Sequence, residues 1–257
     1  MLLRTERLTK EFGGLTAVDE VDFSISENEL CSIIGPNGAG KTTFFNLITG
    51  TLPPSEGTIR FRTGGDEVEI TGWAPHRIAK EGIHRSYQIT NIFPHSTVLE
   101  NVRIMAQAHG SDSFKLWRNV QAFSTYAEEA YAILDRVGLS EQANNLAANL
   151  SHGEKRQLEI AIALAGDPDL LLLDEPNAGV STERIDMVVD LIEDVATDHA
   201  ILLVEHNMDI VMRVSDRIVV FNQGAVIADG PPTEVQGDPA VQEAYLGGYE
   251  QERGSVS

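Results

Sequence analysis

One stretch, GPNGAGKTT at residues 35–43, narrows what this 257-residue chain can fold into more than any other. It follows the apolar run LCSII and precedes FFNLITG. Glycine, four residues, then Gly-Lys-Thr is the spacing of a loop that wraps phosphate between a strand and a helix. Gly35, Gly38 and Gly40 let backbone N–H groups converge on an anion, and Pro36, Asn37 and Ala39 complete the loop. The helix that follows turns its positive end toward the same anion. Lys41 can reach the outer phosphates, Thr42 can ligate Mg²⁺, and Thr43 closes the set.

Such a loop needs a buried strand behind it. Two later runs, DLLLLDE and AILLVEH, read as strands covered on both faces of a parallel sheet. Between them, Ile185, Val188, Val189, Ile192 and Val195 share one helical face, so the three segments form a strand–helix–strand unit. The first sixty residues read as short strands; VDFSI, GTIRF and, further on, EVEIT (residues 67–71) alternate. Residues 100–148 carry helical periodicity and no strand pattern. DRIVVFNQGAVIADG is a hairpin around NQG. The expected fold is α/β: a P-loop NTPase core with a mostly parallel sheet, an N-terminal antiparallel β subdomain and an inserted α-helical subdomain. Residues 1–250 form one domain on this reading. Within it, residues 1–99 and 150–235 make the core and antiparallel strands, residues 100–149 the helical insertion, and residues 251–257 a frayed tail.

Charge excludes some partners. The chain has 39 acidic against 19 basic residues, a net −20. That surface repels nucleic acid. Its self-repulsion fades in molar salt, where the Debye length is ~3 Å, so a salt-loving source is expected. The single cysteine, Cys31, lies in an apolar run and excludes an internal disulfide framework. No run approaches the ~20 apolar residues of a membrane-spanning helix.

Three more positions carry chemistry. Asp174 ends a buried strand, where a phosphoryl-transfer site places its Mg²⁺ carboxylate. Glu175 follows it and can accept a proton from attacking water. His206 stands just past another strand. Histidine at a strand end is more often structural, and it gains interest only if that strand lies beside the phosphate loop. A fourth stretch, LSHGE, has two readings. Ser151 and Glu154 are spaced as a capping box, while Gly153 inside the first turn suits close approach of an anion to the helix N-terminus.

Together these segments resemble the ATP-binding cassette family over nearly the whole chain. GPNGAGKTT is similar to its Walker A motif and LLLLDE to its Walker B with the catalytic glutamate. SYQ, ending at Gln88, resembles its glutamine loop, and His206 its switch histidine. Ser151, His152, Gly153 and Glu154 stand where the family carries its signature, which contacts nucleotide bound to the opposite cassette. Phe12 matches the aromatic residue that stacks on adenine. Two departures are visible: His152 replaces a glycine and Glu154 a glutamine. After Glu175, NAGVS lacks the aspartate often found in the family.

The resemblance implies ATP and Mg²⁺ as cofactors, bound by residues 35–43 with Phe12, and a metal set of Thr42, Gln88 and Asp174. Glu175, His206, Lys41 and Gln88 would be catalytic. It further implies permease membrane subunits, a second cassette (an identical or a different chain), an indirect extracytoplasmic binding protein and a place on the cytoplasmic face of the membrane. FGGLTAVDEVDFSI and LLVEHNMDIVMRVSDRIVV resemble importers of branched-chain amino acids. Urea or short-amide importers, and soluble cassettes such as those of iron–sulfur assembly, are the alternatives. Ile92, Phe93 and Val98 are expected to line a permease-docking groove, or else to pack in the insertion's own core.

Overall fold

The computed structural model describes residues 1–86, 92–109, 120–178 and 185–244. Gln88 and residues 251–257 lie outside them.

Two sheets form among the described residues. The first is antiparallel, ordered β2-β1-β4-β5, from β1 (Leu3–Phe12), β2 (Leu15–Ile25), β4 (Glu56–Thr63) and β5 (Asp66–Glu69). The second comprises β3 (Leu30–Ile34), β6 (Ile83–Ser86), β7 (Leu170–Asp174), β8 (Ala200–Val204), β9 (Arg217–Asn222) and β10 (Ala225–Gly230). Its order is β10-β9-β3-β8-β7-β6, parallel throughout except for β10. The helices are α1 (Lys41–Ile48), α2 (Pro75–Lys80), α3 (Val98–His109), α4 (Val120–Arg136), α5 (His152–Leu164), α6 (Ile185–Val195), α7 (Met208–Val214) and α8 (Pro232–Gln236).

Period-two alternation explains the burial of the central strands. Successive side chains leave a strand on opposite faces. Leu171, Leu173, Ile201 and Leu203 therefore join one core with α3–α6. Leu170, Leu172, Ala200, Leu202 and Val204 join another. That second core includes Phe44 and Phe45 of α1 together with Leu3, Phe23 and Phe61 of the antiparallel sheet. Phe44 meets Phe23 edge-on at 5.4 Å and Phe221 at 5.2 Å. The middle of α1 is thus packed between the two sheets.

The hairpin forms around NQG as expected. Gln223 and Gly224 have φ of 49° and 87°, the left-handed pair that a two-residue turn between twisted strands requires. β6 has no counterpart in the sequence reading. Its four residues, IHRS, show no alternation, and the strand exists because it pairs with β7 at the sheet edge. Val98 is fully buried in the core, which removes it from the expected docking groove. Ile92 packs against that core and Phe93 remains 55% exposed. Cys31 is buried, and desolvation pushes its thiol up to about 12.

Candidate active site

Strand register brings the motifs to one edge. Ile33 of β3 and Asp174 of β7 both pair with Val204 of β8, so the three strands end within one residue of a common row. Adjacent strands lie ~4.8 Å apart. Whatever follows each end must gather there: Gly35 after β3, Glu175 after β7, His206 after β8.

The loop from Gly35 to Gly40 is held open by its glycines. Gly40 has φ of 104°, and a Cβ there would strike the backbone carbonyl of Ala17. A Cβ at Gly35 would strike the carbonyl of Phe221. The turn of the β9–β10 hairpin braces the loop, because Gly224 N–H donates to Ala39 O at 3.0 Å. Asn37, Gly38 and Thr42 are exposed, while Ala39 is buried and Pro36 and Thr43 are half-buried. Among the described residues, neither a side-chain cap nor an acidic first-turn residue neutralises the start of α1, so its positive end faces an anion site. Lys41 is buried, and its ammonium donates to Gly35 O at 2.6 Å and Pro36 O at 3.0 Å. Burial lowers its pKa, while Glu175 and Asp174 work against that shift. A cation in a cradle of inward-facing backbone, next to an uncapped helix, fits a polyphosphate.

The carboxylates meet different partners. Asp174 is buried and accepts from Arg85 Nη2 at 2.6 Å; both side chains are 6% exposed. Arg85 also donates to Asn46 Oδ1 at 2.7 Å, joining β6, α1 and β7 in one polar knot. Glu175 breaks from the strand with φ of 50° and turns the other way. Its Oε1 lies 2.7 Å from His206 Nε2. Asp174 and the Thr42 hydroxyl are hard oxygen donors, the kind Mg²⁺ accepts alongside phosphate.

The stretch from Ser151 to Glu154 opens α5. Ser151 Oγ accepts from Glu154 N–H, and Glu154 Oε2 accepts from Ser151 N–H at 2.8 Å, so the capping box is complete. Ser151 and His152 are exposed, while Gly153 and Glu154 are half-buried. One turn on, Arg156 Nη2 donates to the carbonyls of Asp174 and Glu175 at 3.1 and 3.0 Å. Helix α5 thereby grips the strand end bearing the carboxylates. Phe12 ends β1, is 45% exposed, and has Lys10 Nζ 5.2 Å from its ring centre.

The family described as ABC transporter matches residues 18–178. The chain belongs to the ABC transporter family. A second family, described as branched-chain amino acid ATP-binding cassette transporter, matches residues 225–251. The cassette is 41% identical over 253 residues to the high-affinity branched-chain amino acid transport ATP-binding protein BraF of Pseudomonas aeruginosa, covering 96% of this chain and 98% of that one. It is 40% identical to LivG of Escherichia coli, with the same coverage. Among solved structures, the ADP conformation of MJ1267, an ATP-binding cassette of an ABC transporter, superposes with a TM-score of 0.80 at 30% identity, covering 96% of this cassette and 98% of that chain.

Sequence reasoning missed four residues of the site: Arg85, Arg156, Asn177 and Glu205. Arg85 sits in the unrecognised edge strand. Arg156 reads in sequence as an ordinary helical base. Glu205 carried the one available signal, a charge between the apolar run AILLV and His206.

Proposed function

We propose that this cassette is the ATP-hydrolysing subunit of an importer of branched-chain amino acids. The observation that carries the reading is the 2.7 Å contact between Glu175 and His206 at the strand ends beside the Lys41 loop. The names of the relatives supply the cargo class.

ATP is the substrate. Residues 35–43 grip its phosphates, Lys41 supplies positive charge to the outer ones, and Phe12 offers an exposed face to the base. Mg²⁺, held by Thr42 and Asp174 with Gln88, would neutralise charge on the transferring phosphoryl group. Glu175 takes the proton of the attacking water, and His206 orients Glu175 and senses the terminal phosphate. Ser151 and Gly153, at the exposed helix start, serve the nucleotide of a second cassette. Closure of that pair drives permease subunits in the membrane, placing the cassette on their cytoplasmic side. The division into a core of residues 1–99 and 150–235 and a helical segment of residues 100–149 is part of this proposal.

Glu175→Gln tests it. The variant should bind ATP, lose hydrolysis by about 10²–10⁴-fold, and accumulate as a nucleotide-bound dimer on size-exclusion chromatography. Phosphate release at the wild-type rate would remove Glu175 from the base role.

A further inference from the structure

Glu205 has no part in the chemistry above, yet it is the most enclosed acid among the described residues, at 2% exposure. A carboxylate that far from water persists only where donors surround it. Oε1 accepts from the backbone N–H of Asn177 at 3.3 Å and Oε2 from that of His206 at 3.1 Å. The backbone N–H of Asn207 also donates to it. The Asn177 side-chain amide faces the same carboxylate. With its nitrogen turned inward it donates to both oxygens, at 2.8 Å to Oε2; the opposite orientation would set oxygen against oxygen.

These bonds join two separate segments. One leaves β7 through Glu175 and Asn177; the other leaves β8 through His206. Their relative position sets the 2.7 Å distance between Glu175 and His206. Glu175 also holds a left-handed φ of 50°, a conformation that persists when its surroundings dictate it. Its N–H donates to Val204 O at 2.9 Å, directly before Glu205. Glu205 is therefore the fastener between the two segments, and Asn177 is its counterpart on the β7 side.

We propose that Glu205, with Asn177, is a positioning residue for hydrolysis, fixing His206 against Glu175 without touching nucleotide. The proposal rests on the hydrolytic reading of that pair. Glu205→Gln keeps the size but turns an amide NH₂ toward the Asn177 NH₂. Displacement of the pair should lower kcat by about tenfold to a hundredfold, leave KM and fluorescent-nucleotide affinity within about twofold, and shift the His206 ring-nitrogen resonances in NMR. Residues acting as one unit are non-additive. Glu205→Gln combined with His206→Ala should therefore be no slower than His206→Ala alone. Asn177→Ala, at a half-buried site, supplies a second variant and should show the same pattern. Wild-type kcat in folded Glu205→Gln or Asn177→Ala, or a loss that multiplies with His206→Ala, would overturn the assignment of Glu205. Wild-type hydrolysis by His206→Ala would instead remove the reading beneath it.

Discussion

Replacing Arg85 by methionine isolates the buried polar knot from the chemistry. The methionine keeps an unbranched apolar stem beside Phe45, whose ring lies 5.3 Å from the guanidinium. It leaves Asp174, 6% exposed, without the 2.6 Å ion pair. An exposed pair contributes ~0–1 kcal/mol, but stranding one charge of a buried pair costs about 3–5 kcal/mol. At ~2–4 °C per kcal/mol for a chain of this size, the fall in Tm should be about 6–20 °C. The assay is thermal unfolding by circular dichroism in chelator, without nucleotide, so that no added cation substitutes for the guanidinium. Arg4→Met, which breaks an exposed pair with Glu67, is the surface control and should leave Tm nearly unchanged. Removing the stranded charge should repair the damage, so Arg85→Met with Asp174→Asn should recover most of the loss. A fall below about 3 °C, or a double variant as unstable as the single, would refute the reasoning.

Other outcomes follow from single features. Gly40→Ala forces a side chain into φ of 104° against the Ala17 carbonyl; it should cost at least about 1–2 kcal/mol and weaken fluorescent-ATP binding, and unchanged affinity would mean the loop is not held in this form. Burial pushes the His84 imidazole below the ordinary histidine range. Its folded pKa lies below the unfolded value of ~6.5, so its contribution is complete above that pH and declines as acid protonates the unfolded chain first. The stability gap between wild type and His84→Asn should therefore narrow from about pH 7 to 5.5, and a constant gap would contradict this. With a net charge of −20, Tm should rise from 0.1 to ~1 M KCl, while equal or lower stability would argue against a salt-adapted surface.

Much of the site is legible in the primary structure because its parts are local. Residues 35–43 carry their own glycines, lysine and helix start, and steric rules at single positions dictate the loop's shape. The apolar runs of β7 and β8 announce burial on both faces, since alternation demands a core on each side. The Ser151–Glu154 box closes within one turn. None of these needs knowledge of a distant neighbour.

The remaining features were decided by tertiary structure. β6 exists through its ladder with β7, so its polar tetrapeptide has no periodic signature. Arg85 meets Asp174 across 89 positions and Asn177 meets Glu205 across 28, distances at which sequence spacing carries no geometry. Val98, for which docking and core packing were both open readings, was drawn into the core by α3 packing. From sequence alone came the identity of the groups proposed to handle phosphate. Their separation was set by the sheet, because backbone hydrogen bonds fix strand ends in a common row and side chains from unrelated segments must then satisfy one another there.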